Sequence, residues 1–122
     1  MQDCYVCNAK ITDTKLGYLN DRGIFTFWIM LDYGSTGQGF GGICLDNYNK
    51  QTQQRYHSNL TGEIISGILV ALELDSWEDL KGKYVRVQRT DEGLSGTVVG
   101  VGHIVKDKFF NIRDCINTFV KE

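Results

Sequence analysis

The ten residues from Ile24 to Tyr33 constrain this chain more than any other stretch. They read Ile-Phe-Thr-Phe-Trp-Ile-Met-Leu-Asp-Tyr, with β-branched and aromatic side chains on both alternating faces. That pattern predicts a central strand covered on both sides. Residues 10–19 read as a strand, or two short ones, and Asn20 to Gly23 is turn chemistry, so the two segments form a hairpin.

The rest of the chain is placed around that hairpin. Residues 34–42 read as a glycine loop and residues 43–45 as a short strand. The polar segment from Asp46 to Tyr56 holds a further hairpin arm. Between Leu60 and Leu74, the residues Leu60, Ile64, Ile65, Ile68, Leu69 and Leu72 share one stripe at helical spacing, with Ser58 or Asn59 as the cap. Ser76 to Asp79 predicts a second cap and a short helical turn that ends before Gly82. Residues 83–90 alternate as a strand with one wet face, and Asp91 to Gly96 is a loop. Residues 97–105 read as another strand, with His103 on the face of Val99 and Val101. Ile112, Cys115, Ile116, Phe119 and Val120 make a second helical stripe capped by Asn111. The pattern predicts one α+β domain over residues 1–122, with a mainly antiparallel sheet of about five strands and two main helices.

Composition narrows the function classes. A chain of 122 residues with 42% hydrophobic and 23% charged residues is one ordinary globular domain. No apolar run approaches the roughly 20 residues of a membrane helix. Met1 to Cys4 shows neither a basic region nor an apolar stretch, which predicts no secretory leader. Thirteen basic against fifteen acidic residues argue against a dedicated DNA binder. Lys81, Lys83, Arg86, Arg89, Lys106 and Lys108 look dispersed along the chain, without the interleaved aromatics of a stacking platform.

Four cysteines in a chain read as cytosolic point to metal or burial before disulfides. Cys4 and Cys7 form a C-x-x-C followed by Asn8, a spacing that lets one tight turn aim two thiolates at one zinc ion. Cys44 and Cys115 would complete a tetrahedral Cys4 site, with His57 and His103 as substitutes for either. Equally, Cys44 and Cys115 read as small buried hydrophobes. Such a zinc would be structural, since four protein ligands leave no open position for chemistry.

Three further features bear on function. Gly37-x-Gly39-x-x-Gly42 spells the dinucleotide fingerprint, but a strand follows it where a helix is needed, so a close backbone approach is preferred. Glu73, Asp75, Glu78 and Asp79 surround Trp77. The plainer reading is a solvated helix end with Trp77 packed inward, and the sharper one is an acidic docking patch. His103 reads as a core histidine satisfied by one backbone partner. With no catalytic order of Ser, His and Asp, enzyme function is the weaker class.

Several motifs occur together: Lys10 to Tyr18, Asp21-x-Gly23-Ile-Phe-Thr, Leu31-Asp-Tyr-Gly, Gly37 to Gly42, Leu45-Asp46, Ser76 to Val87, and Gly102-His103-Ile104 with Lys106 to Phe110. Over roughly residues 10–110 this pattern resembles a family of small proteins encoded by phages and prophages. The chain is similar to zinc-containing anti-CRISPR members that inhibit the type II effector Cas9. The resemblance implies a phage protein of the host cytoplasm with a structural zinc, which binds Cas9 stoichiometrically and blocks target-DNA loading or cleavage. Such a protein has no catalytic centre and needs no direct contact with nucleic acid. Cas9 carries positively charged channels, so the expected contact residues are Glu73, Asp75, Trp77, Glu78 and Asp79, with Phe40 second. The alternative is a phage small-molecule or nucleotide binder that uses the Gly34–Gly42 loop.

Overall fold

The computed structural model describes residues 5–19, 23–90 and 96–121. In chain order these form β1 (Tyr5–Tyr18), β2 (Phe25–Asp32), β3 (Gly37–Gly41), β4 (Asn47–Asn49), β5 (Gln54–Tyr56), α1 (Asn59–Leu72), a 3-10 turn (Trp77–Leu80), β6 (Tyr84–Arg89), β7 (Val98–Gly102), β8 (Phe109–Asn111) and α2 (Ile112–Lys121). The class is α+β. A six-stranded antiparallel sheet has the order β3-β2-β1-β6-β7-β8, and β4 and β5 form a separate hairpin.

β1 organises the sheet. Its first half, Tyr5 to Lys10, pairs with β6, and its second half, Lys10 to Tyr18, pairs with β2. A bulge between Ile11 and Asp13 bends the strand between these two jobs. The bend curls the sheet until β3 touches β7, and the Gln38 side-chain amide donates to the Gly96 carbonyl across the gap. β3 and β7 run parallel, because each lies two antiparallel steps from β1. The result is a partly open five-stranded barrel with β8 added outside β7. Inside one end, the Tyr33 hydroxyl donates to Gln38 Oε1 at 2.8 Å, and the Arg89 guanidinium lies 5.3 Å from the Tyr33 ring centre.

Both helices pack against the inner face of the β7–β8 side. In α1 the expected stripe is the buried one: Ile64, Ile68 and Leu72 are buried, with Leu60, Ile65 and Leu69 half-buried against them. Ser58 caps the helix by accepting from the Leu60 N–H at 3.1 Å. The helix stops two residues earlier than its apolar pattern. Glu73 takes a left-handed conformation (φ 58°, ψ 47°), and the Leu74 N–H bonds back to Leu69, closing a Schellman turn. α2 is capped as expected, with Asn111 Oδ1 accepting from the N–H groups of Arg113 and Asp114.

Three local expectations change. β2 is not covered on both sides: Phe27, Ile29 and Leu31 are buried, but Trp28 and Met30 are 38% and 41% exposed. The glycine loop is largely a strand, β3, while residues 43–45 hold no strand and are docked by the Leu45 N–H on Phe25 O at 2.8 Å, by the Thr61 hydroxyl on Leu45 O at 2.8 Å and by the buried Leu45 side chain. The strand expected over 97–105 ends at Gly102, so His103 lies beyond it and off the valine face.

Candidate functional site

The cysteines are placed by different elements. Cys4 lies outside the described residues. Cys7 sits within β1, half-buried and opposite Val87, and Asn8 is paired with Arg86 in the same ladder. Asn8 therefore lacks the left-handed backbone that a zinc knuckle often needs, because strand pairing with β6 extends the chain there. Cys115 is half-buried on α2, and burial, with Glu63 nearby, pushes its thiol up. Cys44 is exposed and committed elsewhere. Its sulfur donates toward the Asp46 carbonyl at 3.1 Å and accepts from Arg55 at 3.1 Å. Among the described residues, no group of three or more His, Cys, Asp or Glu side chains converges to hold a metal ion. His57 is exposed on the loop between β5 and α1.

Asp46 is the centre of that corner. Its buried carboxylate takes two 2.7 Å hydrogen bonds from Arg55 and a third, at 3.3 Å, from the Phe25 N–H. The Arg55 bonds hold its carboxyl at about 2. This clamp ties the β4–β5 hairpin to the start of β2.

The acidic segment splits in two. Glu73 is spent on a lysine clamp, with Lys106 Nζ and Lys108 Nζ each 2.9 Å from its carboxylate. Lys106 first, then Lys108, holds that carboxyl at about 2. His103 Nε2 stands 3.6 Å from the same carboxylate. His103 Nδ1 accepts from the N–H groups of Val105 and Lys106, so the imidazole organises the turn before β8. The single backbone partner expected for it is two, on a turn and not in the core. Asp75, Glu78 and Asp79 are exposed, and no described cation pairs with them.

Both aromatic candidates point inward. The Trp77 ring packs edge-on against Phe27 at 5.9 Å, as the plainer reading of that segment had it. Phe40 also meets Phe27 edge-on, at 5.6 Å, and is only 2% exposed. Phe40 is thus a core side chain and no contact anchor. Strand alternation in β3 sends Phe40 inward and Gly39 outward, while Gly41, at φ 124°, lies against the buried Phe27.

Those glycines have a packing role. The six-membered ring of Trp28 spans the β3 backbone over Gly39 and Gly42, and a methyl on Gly39 would stand 2.9 Å from it. Two of the three glycines in the dinucleotide-like spacing, Gly39 and Gly42, thus make room for an indole lying on β3, and the first, Gly37, packs on the Leu31 carbonyl.

The outward face of the sheet carries what the sequence pattern concealed. Trp28 faces Lys15 across the β2–β1 ladder, Tyr84 faces Lys10 across β6–β1, and Arg86 faces Gly102 across β6–β7. Lys10 Nζ lies 5.7 Å from the Tyr84 ring centre, and the Arg86 guanidinium lies 4.6 Å from that of Phe109. Phe109 rests on Gly102, where a side chain would collide with its ring. Basic residues that look dispersed in sequence are thus set beside aromatic rings by strand pairing. Near the end of this face, Glu73, Lys83, Tyr84 and His103 line a cleft of about 280 Å³. No described helix is long and apolar enough to cross a membrane.

No family model matches this chain, and no curated protein or solved structure matches it either.

Proposed function

We propose that this domain is a phage-type inhibitor that acts by stoichiometric binding to a Cas9-type effector, without chemistry of its own. The observation that supports it is the 3-10 turn Trp77–Leu80, which presents exposed Glu78 and Asp79 beside Asp75, none of them in an ion pair with a described cation. The turn is braced from below by Trp77 on Phe27 and by fully buried Leu80. Unpaired carboxylates on a rigid support suit a positively charged protein channel. The docking set is narrower than the sequence suggests: Asp75, Glu78 and Asp79, without Glu73, Trp77 or Phe40.

A structural zinc remains part of the proposal only if Cys4 and Cys7 are joined by two further ligands, and metal analysis of chelator-free protein tests it. The small-molecule alternative has less behind it, because the glycines of residues 37–42 take up the Trp28 and Phe27 side chains.

The test is a cleavage assay with guide-loaded Cas9, in which the protein is added before or after target DNA. Inhibition only on prior addition is expected. Equal cleavage in both orders, with no complex formed, would reject the proposal.

A further inference from the structure

We infer that the outward face of β2, β1 and β6 is a binding surface for single-stranded nucleic acid. This inference stands apart from the proposed inhibition of Cas9, and neither depends on the other.

The face has the chemistry a single strand requires. Trp28 is 38% and Tyr84 61% exposed, and each is paired across the ladder with a lysine, Lys15 and Lys10. A ring offers a surface on which any base stacks, and an adjacent cation meets the phosphate that follows. β1 separates β2 from β6, and Trp28 lies opposite Lys15 while Tyr84 lies opposite Lys10, so the two positions are two strand spacings apart across the sheet and five residues apart along β1, about 20 Å in all. Glycines flatten the approach: Trp28 lies down over Gly39 and Gly42 instead of standing out from the sheet.

Charge decides which nucleic acid fits. Lys10, Lys15 and Arg86 face outward, but so do Asp13 and Asp32, leaving one net positive charge among these five. A duplex hides its bases and is held mainly through phosphates, so this face is too weakly basic for it. A single strand exposes its bases, and stacking then supplies the larger part of the affinity. The exposed carboxylates Asp75, Glu78 and Asp79 lie between α1 and β6 and belong to none of the three strands of this face. Architecture agrees by analogy: five-stranded barrels of the OB type take oligonucleotides on the outward face of their second and third strands. Here those strands are β2 and β3, which carry Trp28 and the glycines beneath its ring, whereas Tyr84 extends the face on to β6.

The experiment is fluorescence anisotropy of labelled oligo(dT) and oligo(U), about 15 nucleotides long to cover one barrel's site, titrated with the full chain at low salt. Saturable binding is expected, with quenching of Trp28 emission and at least tenfold weaker binding of a blunt duplex. Trp28→Ala and Tyr84→Ala should each weaken binding roughly 5- to 100-fold, the range for loss of one stacked base. Tyr84 is mostly exposed, so its variant reports on the face even if Trp28→Ala disturbs β3. No saturable binding, duplex bound as tightly as single strand, or wild-type affinity in Tyr84→Ala would each overturn the inference.

Discussion

Trp28 and Gly39 meet diagonally across the β2–β3 ladder, so closely that one methyl group on Gly39 would stand 2.9 Å from the indole. The contact converts an exposed, glycine-rich edge strand into a bed for a flat aromatic ring, and it links the glycine spacing to the surface above.

Gly39→Ala is therefore expected to lift Trp28 from the strand. Overpacking of this kind costs about 1–3 kcal/mol. Urea titration should show the loss, and the tryptophan emission maximum should shift. Unchanged stability and emission would mean that the ring does not rest on β3.

Phe27 is the hub on the other side of β2, with Phe40 and Trp77 both edge-on to it. Phe40→Ala should cost about 3–5 kcal/mol, as for a buried aromatic, through lost core packing. A chemical-denaturation midpoint close to that of the wild type would return Phe40 to the surface as a contact residue.

The acid response follows from two carboxylates. Glu73 is held at about 2 against its ordinary 4.5, and Asp46 at about 2 against 3.8. A carboxyl lowered by folding stabilises the fold above its unfolded value and loses that contribution as pH falls through its folded value. Stability should thus be level above about pH 5 and decline between about 4.5 and 2. Glu73→Gln should make that decline shallower in thermal melts taken across the window. An identical slope in the variant would show that the lysine clamp does not form in solution.

Asp46→Asn removes the bidentate partner of Arg55. The expected loss is about 2 kcal/mol, typical of a hydrogen bond to a charged group. Amide exchange should quicken first in the β4–β5 hairpin, which Arg55 anchors. Uniform quickening across the chain would contradict the local clamp.

Much of this fold is legible in the chain. The α1 stripe, the Ser58 and Asn111 caps and the β1–β2 hairpin depend on neighbours close in sequence, where periodicity and capping chemistry operate. The face of Phe40 is not legible, because glycines on either side of it erase the alternation that marks a strand. Glu73 looks like one of four equal carboxylates, and only the turn after β7 brings Lys106 and Lys108 to it. His103 looks like a strand residue until Gly102 ends the ladder. Cys4 and Cys7 carry a metal-like spacing in sequence, but Cys7, Cys44 and Cys115 do not converge in space. The outward rings and cations meet only through strand pairing, so a linear search for interleaving misses them.

The central claim, binding through Asp75, Glu78 and Asp79, is tested most directly by co-elution with guide-loaded Cas9 on size exclusion. Wild-type protein should co-elute at one to one, and the combined variant Asp75→Lys, Glu78→Lys, Asp79→Lys should elute alone while keeping the wild-type melting behaviour. Failure of the wild type to co-elute, or co-elution of the charge-reversed variant, would contradict it.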